Sequence, residues 1–264
     1  MKKNQLFRMM CQLLGLVVFS CWTLQARASF IALSHTNYLQ DFDSLLPKKG
    51  KSSDLPQGWS LAEFGKHADD KIRADDGSKS TGGIYSYGSK GSTDRALGSL
   101  RGADGTYGLF GTSFQNSSDA IINSLNLSFT GEEWRLGAQG RQDRLQFQYS
   151  LNASSLTSGT WLNAPQLDFL TPNTIGVGAH DGNLVVNQKQ ISGTINFLSI
   201  PSGGTFWIRW VDAPVAGGGP EDGLAVDNFS ISAVPETSTW LAGLAALGAL
   251  GLFSVRLTRS LGIN

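Results

Sequence analysis

Arg144-Leu145-Gln146-Phe147-Gln148-Tyr149-Ser150-Leu151 places an apolar side chain at every second position, with polar residues between. Successive side chains of a β-strand point to opposite sides of the backbone, so an alternation of period two collects the apolar groups on one face. A helix would need a period near 3.6, which this stretch does not have. The stretch therefore predicts a β-strand with one buried face and one polar face.

The same alternation recurs along the chain. Alternating segments lie at residues 125–129, 195–197, 206–210 and 224–229, and further strands are predicted at residues 30–42, 59–64, 83–87 and 106–114. Glycine accounts for 32 of the 264 residues, well above the usual level of about 7 %, and Asp-Gly and Ser-Gly pairs between the segments are typical of turns. We expect one all-β domain at residues 29–233, a single antiparallel sandwich.

The N-terminal residues have the pattern of a signal peptide. Lys2, Lys3 and Arg8 precede an apolar stretch at residues 13–22, and Ala26-Arg27-Ala28 supplies small residues where a signal peptidase cuts. We predict that residues 1–28 are a signal peptide cleaved after Ala28.

Both cysteines of the chain, Cys11 and Cys21, lie in this predicted leader. Acylation of Cys21 as in a lipoprotein is an alternative, which the bulky Phe19 two residues earlier disfavours. After cleavage at Ala28 the exported chain would contain no disulfide and no cysteine ligand for a metal.

The charge of the predicted domain excludes one class of partner. The whole chain has no formal net charge, but residues 29–233 hold 15 Lys and Arg against 20 Asp and Glu, a net charge of −5. Nucleic-acid-binding domains are usually basic. We therefore expect no nucleic-acid partner.

The C-terminal residues combine a short motif, an apolar run and a basic end. Val234-Pro235-Glu236 precedes an apolar run at residues 240–255, which is followed by Arg256 and Arg259. This tail, residues 234–264, resembles the PEP-CTERM sorting tail of exported bacterial proteins, with Pro-Glu-Thr in place of the commoner Pro-Glu-Pro. The resemblance implies a transmembrane helix at 240–255, transient anchoring in the inner membrane, and recognition of the motif by an exosortase-type peptidase. Release would then deliver the domain to the cell envelope, the cell surface or the extracellular matrix.

Three stretches of the domain resemble a group of exported bacterial proteins that often carry such a tail. They are residues 87–98, 129–135 and 206–229. The resemblance implies a jelly-roll sandwich, similar in outline to concanavalin-like lectins. It implies no activity, since fold analogy alone does not assign function.

An acidic stretch near the end of the domain is a candidate metal site. Asp212, Asp222 and Asp227, with Glu221 between them, flank a glycine-rich turn at residues 217–220. Carboxylate oxygens on a loop suit Ca²⁺, so we name these three aspartates as tentative calcium ligands. The alternative is structural: Asp222 makes a turn, and Asp227 pairs with an arginine, either Arg209 or Arg135.

Two further acidic patterns raise the question of catalysis. Glu132 and Glu133 are adjacent and would point to opposite faces of a strand, so they cannot form the carboxyl pair of a glycosidase by themselves. We expect instead that Glu133 or Arg135 makes an ion pair beneath a packed Trp134. The acidic run at residues 69–77 is expected to be a solvated loop.

The aromatic residues are open to two interpretations. Tyr85, Tyr87, Tyr107 and Trp161 lie in Gly- and Ser-rich surroundings and are either exposed platforms for sugar rings or part of the core. Trp207 and Trp210 are an odd number of residues apart, so they cannot both face the core of one regular strand.

These patterns together predict a non-enzymatic function. We expect an exported, sorted surface or matrix protein whose sandwich binds or organises exopolysaccharide. A secreted glycan-cleaving enzyme, using Glu133 or an acid of residues 212–227, is the alternative. A third possibility is that the tail stays uncleaved as a permanent anchor.

Overall fold

The computed structural model describes residues 30–34, 36–214 and 221–235 of the chain. These residues form β-strands joined by turns and one short 3₁₀ helix, Pro165–Leu167, and they contain no α-helix. The strands are β1 (Ile31–Leu33), β2 (Tyr38–Gln40), β3 (Lys51–Ser52), β4 (Trp59–Phe64), β5 (Ile72–Asp75), β6 (Gly83–Tyr87), β7 (Ala96–Leu100), β8 (Tyr107–Asn116), β9 (Ile122–Leu136), β10 (Arg144–Ser150), β11 (Leu162–Asn163), β12 (Phe169–Leu170), β13 (Gly178–Ala179), β14 (Gln188–Ile195), β15 (Thr205–Ala213) and β16 (Gly223–Pro235).

The strands form two sheets, which pack face to face. In sheet A, β8 pairs with β15, β15 with β10, and β10 with β11 and β12, while β1 and β4 lie along the other edge of β8. In sheet B, β9 pairs with β16, which continues through β7, β6 and β5 to β3. The far edge of β9 carries β13 and β14, and β2 lies beside the second half of β16.

The core lies between the sheets and is rich in aromatic rings. Trp210 of β15 stacks on Phe110 of β8, with ring centroids 5.7 Å apart, and meets the edges of Phe129 and Phe229 from sheet B at 5.4 and 5.5 Å. The other apolar side chains of this core come from both sheets. The predicted all-β sandwich is therefore confirmed, because its two sheets bury the apolar faces that the alternation marked. It is not wholly antiparallel as predicted, since β1 pairs with β8 and β5 with β6 in parallel.

Both outer faces carry smaller apolar clusters. Trp207, opposite in parity to Trp210, is buried on the outside of sheet A with Leu109 and Leu156. On the outside of sheet B, Tyr87 stacks on Trp134 at 6.0 Å. As their odd spacing predicted, the two tryptophans face opposite sides of the strand. Trp207 is nevertheless buried, because the segment that follows β10 covers it.

Several predicted elements differ from the structure in detail. Residues 30–42 form two short strands, β1 and β2, and the acidic run at 69–77 contains strand β5 rather than being a solvated loop. In this run Arg73 bridges Asp69 and the buried Glu63, at 2.7 and 2.8 Å. Strand β14 ends at Ile195, so Phe197 is not part of it. These short elements carry little alternation, which is why the sequence pattern did not define them.

The predicted signal peptide lies outside the described residues, and so does the predicted tail, with its membrane helix at 240–255, except for its first two residues. In the part of the chain that the structure does describe, no helix has the length and apolar character needed to cross a membrane. Strand β16 runs two residues beyond the predicted end of the domain at residue 233, pairing Val234 with Ser124 and Pro235 with Ile122.

Candidate functional site

A cleft of about 580 Å³ opens where four segments of sheet B meet. The segments are the chain before β3, the end of β5 with its following turn, the chain after β6, and the start of β7. Five cationic side chains line this cleft: Lys48, Lys49, Lys79, Lys90 and Arg95. Its acidic lining residues are Asp75 and Asp76. We call this feature the basic cleft.

The four lysines of the basic cleft are exposed. Among the described residues, none of the four lies within ion-pair distance of a carboxylate, although the charge of Lys90 acts on Asp76. The carboxylate of Asp75 is engaged in the turn itself, where it accepts hydrogen bonds from the backbone N–H groups of Gly77 and Lys79 at 3.0 and 3.1 Å. The cleft therefore presents a positive surface on a domain whose sequence is net negative.

Arg95 gives the cleft a buried positive charge. Only 2 % of this residue is exposed, and its Nε donates to Ser86 Oγ at 3.0 Å while Nη2 donates to the backbone oxygen of Ser86. In the described part of the chain no carboxylate pairs with it, and Nη1 makes no hydrogen bond there. Burial lowers the pKa of Arg95, yet a guanidinium remains charged at any physiological pH. Its hydrogen bonds go to neutral oxygens, and the charges of Asp94, Asp75 and Asp76 act on it from beyond ion-pair distance. Such an arrangement is unusual, because buried charges are normally paired directly.

Gly88 allows the chain to pass close to this guanidinium. A Cβ atom at Gly88 would lie 2.3 Å from Nη1 of Arg95 and 2.6 Å from the backbone oxygen of Asp94. No side chain fits between them, so the glycine keeps the arginine at the wall of the cleft. The position requires glycine for space.

The chemistry of the basic cleft suits an anion. A guanidinium binds a carboxylate or a sulfate through parallel N–H donors, and mobile ammonium groups around it add attraction without fixed geometry. At physiological salt the Debye length is about 8 Å, so the charge inside the cleft, five cationic side chains against two aspartates, outweighs the distant acids of the domain. The cleft can therefore attract a negatively charged ligand despite the net charge of −5 in residues 29–233.

The structure separates the three aspartates named as calcium ligands. Asp212 faces the core side of β15, where Ser99 Oγ donates to it at 2.9 Å, and complete burial raises its pKa to about 8. Asp222 accepts a hydrogen bond from Thr171 Oγ1 at 2.5 Å and another from the backbone N–H of Gly137 at 2.6 Å. Each carboxylate thus has its own protein donors.

Asp227 has a different environment from the other two. Its Oδ2 accepts from Asn228 Nδ2 at 2.7 Å, not from Arg209 or Arg135 as the structural alternative supposed. Arg209 lies instead over the ring of Trp161, 3.9 Å from its centroid. Burial raises the pKa of Asp227 to about 7.

No group of three or more His, Cys, Asp or Glu side chains is arranged to hold a metal ion in the described residues. The glycine-rich turn at 217–220, which separates Asp212 from Asp222, lies outside them. Calcium binding by Asp212, Asp222 and Asp227 remains a prediction from the sequence.

Glu133 is sealed inside the protein. Its Oε1 lies 2.8 Å from Nδ1 of His180, and its Oε2 accepts a hydrogen bond from the backbone N–H of Asn173 at 3.0 Å. Burial raises its pKa to about 7. Trp134 is packed, as expected, but in the outer cluster, where its Nε1 donates to Glu132. The partner of Glu133 is a histidine that sequence spacing did not suggest. A fully buried carboxyl cannot reach a polymeric sugar.

The aromatic candidates divide between the two interpretations. Tyr85 and Tyr87 are fully buried, so they belong to the interior and are not platforms. Tyr107 and Trp161 are partly exposed, but each ring has an arginine over it, Arg101 and Arg209 respectively. The described residues thus offer no bare aromatic platform among these four.

The first residues of the predicted sorting motif lie at the end of β16. Val234 is partly exposed and pairs with Ser124 of β9, and the backbone of Pro235 follows it in the same ladder. Glu236 lies outside the described residues. The motif therefore begins on the sheet itself, at the end opposite to the loop after β13.

No family model matches this chain, and no curated protein matches it in sequence. Among solved structures, it resembles the K3 cleaved adhesin domain of Lys-gingipain from Porphyromonas gingivalis, with 12% identity over 67% of this chain and 92% of that one, at a TM-score of 0.39. The xylan-binding domain from CBM 22 gives 10% identity over 76% of this chain and 95% of that one, at a TM-score of 0.38.

The tailspike protein 4 enzymatically active domain of bacteriophage CBA120 is similar at 10% identity and a TM-score of 0.36. This chain covers 20% of that chain's length, and the match takes in 67% of this one. At such low scores these likenesses carry no argument about function. The function must be inferred from the site.

Proposed function

We propose that this protein is an exported, non-enzymatic binding protein whose jelly-roll sandwich holds an acidic exopolysaccharide in the basic cleft. The observation that carries the proposal is Arg95, a buried guanidinium that makes no ion pair with a described carboxylate and lies in a cleft also lined by four lysines. Burying such a charge costs stability unless a ligand compensates it. Carboxylate or sulfate groups on a polysaccharide would supply that compensation.

Export and sorting form the second part of the proposal. A signal peptidase removes residues 1–28, and the tail at 234–264 holds the domain in the inner membrane through the helix at 240–255. An exosortase-type peptidase then recognises Val234-Pro235-Glu236 and releases the domain to the envelope, the cell surface or the extracellular matrix. The support for this route is the order of motif, apolar run and arginines in the sequence.

Binding is tested with charged and neutral polysaccharides. We expect the protein to bind polygalacturonate and dextran sulfate, and to bind uncharged dextran at least about tenfold more weakly. Changing Lys48, Lys49, Lys79 and Lys90 together to glutamine should weaken binding to the charged polymers by about tenfold or more, since each exposed pair contributes a few tenths of a kcal/mol. Binding is measured by calorimetry at two salt concentrations, and the variant should also show a weaker dependence on salt.

A matched control uses lysines outside the cleft. Lys66→Gln with Lys189→Gln removes exposed positive charge elsewhere on the surface and should leave affinity within about twofold. Equal losses in the two sets of variants would show that binding depends on net charge alone, and the cleft would then have no role. Equal affinity for dextran and polygalacturonate would contradict the proposal directly.

Sorting is tested by changing the motif. Pro235→Ala with Glu236→Ala should leave an unprocessed precursor in the membrane fraction, because the peptidase no longer recognises the tail. The length of the protein and its location are followed by immunoblotting of membrane and released fractions. Thr237→Ala with Ser238→Ala is the control and should be processed normally. Normal release of the first variant would rule out this sorting route while leaving the binding proposal intact.

A further inference from the structure

One end of the sandwich carries an unusually exposed aromatic side chain. Phe197, between β14 and β15, is 102 % exposed, and its backbone adopts a positive φ of 60°. A left-handed backbone conformation is unfavourable for a bulky residue. Exposing an apolar ring to water also costs free energy, which no packing contact with a described residue offsets here. Both features persist only because the neighbouring residues fix this segment.

The segment around Phe197 is firmly attached to sheet B. The backbone N–H of Leu198 donates to the oxygen of Asn123 at 2.8 Å, and Ile200 and Ile122 exchange two backbone hydrogen bonds of 3.0 and 3.1 Å. Leu198 and Ile200 are both buried in the core. Because β14 also stays paired with β9 up to Ile195, Phe197 is held outward between the anchored residues Ile195 and Leu198 rather than lying on a loose loop.

This end of the sandwich is also where the chain leaves the sheet. Asn123 lies between Ile122 and Ser124, which pair with Pro235 and Val234 at the end of β16. Two strand spacings of about 4.8 Å separate the segment of Phe197 from the end of β16. The partly exposed Ile121 lies on the same end.

The surrounding loops have almost no charge. Residues 117–121 and 196–204 together contain one charged side chain, Asp119. The basic cleft, by comparison, has seven charged residues in its lining. An uncharged surface with an exposed aromatic ring is typical of a contact with the interface of a lipid bilayer.

The length of chain beyond β16 limits how far this surface can be from a membrane. Residues 236–239 separate Pro235 from Trp240, where the apolar run begins. A fully extended chain from Pro235 to Trp240 spans at most about 18 Å. When the apolar run lies in a bilayer, the end of β16 and the segment of Phe197 must be close to the lipid headgroups.

We infer that the surface formed by Phe197 and Ile121 rests on the lipid bilayer interface while the sorting tail is in the membrane. This inference rests on the proposed membrane insertion of residues 240–255. The contact would hold the sandwich in one orientation, with Val234 and Pro235 beside the bilayer, where a membrane peptidase acts. The loop after β13 lies at the other end of β14, more than about 25 Å away, and points away from the lipid.

The inference is tested by quenching with spin-labelled lipids. The processed chain, residues 29–264, which contains no cysteine, is reconstituted in phosphatidylethanolamine and phosphatidylglycerol vesicles. A single cysteine at Asn196→Cys or at Val185→Cys carries an environment-sensitive fluorophore; Val185 is 85 % exposed and serves as the control position. We expect headgroup-proximal spin labels to quench the probe at position 196 at least threefold more than the probe at 185.

A second variant separates contact by the ring from simple proximity. Adding Phe197→Ser to the chain labelled at position 196 should lower the quenching at least twofold and leave the melting temperature unchanged, since the ring is exposed. Vesicle flotation is recorded in every sample. Chain that floats with the vesicles but shows equal quenching at 196 and 185 overturns this inference and leaves membrane insertion intact. Chain that does not float overturns both the inference and the proposed anchoring.

Discussion

Replacing Trp210 by alanine is expected to lower the free energy of unfolding by about 3–5 kcal/mol, the usual cost of removing a buried aromatic side chain. The ring is fully buried and lies against Trp59 and Phe110 on its faces. Edges of Phe129 and Phe147 meet it at 5.4 and 5.2 Å. Alanine would leave a cavity between the two sheets, where the ring also meets Phe229 of sheet B. Urea unfolding followed by circular dichroism measures the loss.

Trp210→Phe should be much less damaging than Trp210→Ala. The indole Nε1 is buried and makes no hydrogen bond to any described residue, so phenylalanine removes an unsatisfied donor along with part of the ring volume. Leu162→Ala, at a half-exposed position of β11, is the control and should change stability by less than about 0.5 kcal/mol. A loss below about 1 kcal/mol for Trp210→Ala would contradict the aromatic core described here.

The protein is expected to become less stable as the pH rises from about 5 to about 8, by roughly 7 kcal/mol from two buried carboxyls together, about half from each. Burial raises the pKa of Glu132 and of Asp212 to about 8 in each case, whereas unfolding returns both carboxyls to about 4. Between these values the folded state binds more protons than the unfolded state. Their contribution is therefore fully present below pH 4 and is lost as the pH rises through 8. Urea unfolding at one-unit pH intervals measures the trend.

Neutral substitutions at Glu132 and Asp212 should remove their share of this dependence. Glu133 and Asp227, with pKa values raised to about 7, keep a smaller dependence of their own. Glu132→Gln can still accept the hydrogen bond from Trp134 Nε1, and Asp212→Asn can still accept from Ser99, so the double variant keeps both contacts. We expect it to be more stable than the parent at pH 8 and nearly equal to it at pH 5. Asp119→Asn, on the exposed loop before β9, is the control and should leave the slope unchanged. A parent protein that gains stability from pH 5 to 8 would contradict the burial of these charges.

The opposite trend applies at more acidic pH. A hydrogen bond from Ser78 lowers the pKa of Asp76, and hydrogen bonding and charge from Lys51 and Arg73 lower that of Asp69 although partial burial opposes them. These groups contribute stability above their unfolded pKa, and they lose it as the pH falls below about 4. The most stable condition should therefore lie near pH 4–5.

Part of the candidate site was visible in the sequence and part was not. Nine of the 15 Lys and Arg residues in positions 29–233 fall between Lys48 and Arg95, and this concentration was a signal that the sequence analysis did not use. It could not have shown that Lys79 and Lys90 flank one cleft, because they belong to turns on different strands. Nor could it have distinguished Arg95, whose burial depends on the neighbouring strands β5 and β6.

The aromatic residues show the same division. Alternation placed Phe147 and Trp210 on buried faces correctly, since period two reports which side of a strand is apolar. It could not show that the outer faces are also covered. Tyr85 and Tyr87 are buried there because Trp134 of β9 stacks beside them, and β9 is distant from β6 in sequence.

The sequence by itself determined that residues 29–233 form β-strands with one face turned inward, because side-chain alternation is a local property of each strand. It also determined the order of motif, apolar run and arginines at the C-terminus, since that pattern lies in consecutive residues. Only the tertiary structure decided that Arg95 has no carboxylate partner in the described chain, that Glu133 is sealed beneath His180, and that Phe197 stands beside the exit of β16. Those facts depend on which distant strands become neighbours, and sheet pairing is settled by the packing of the whole core rather than by any single segment.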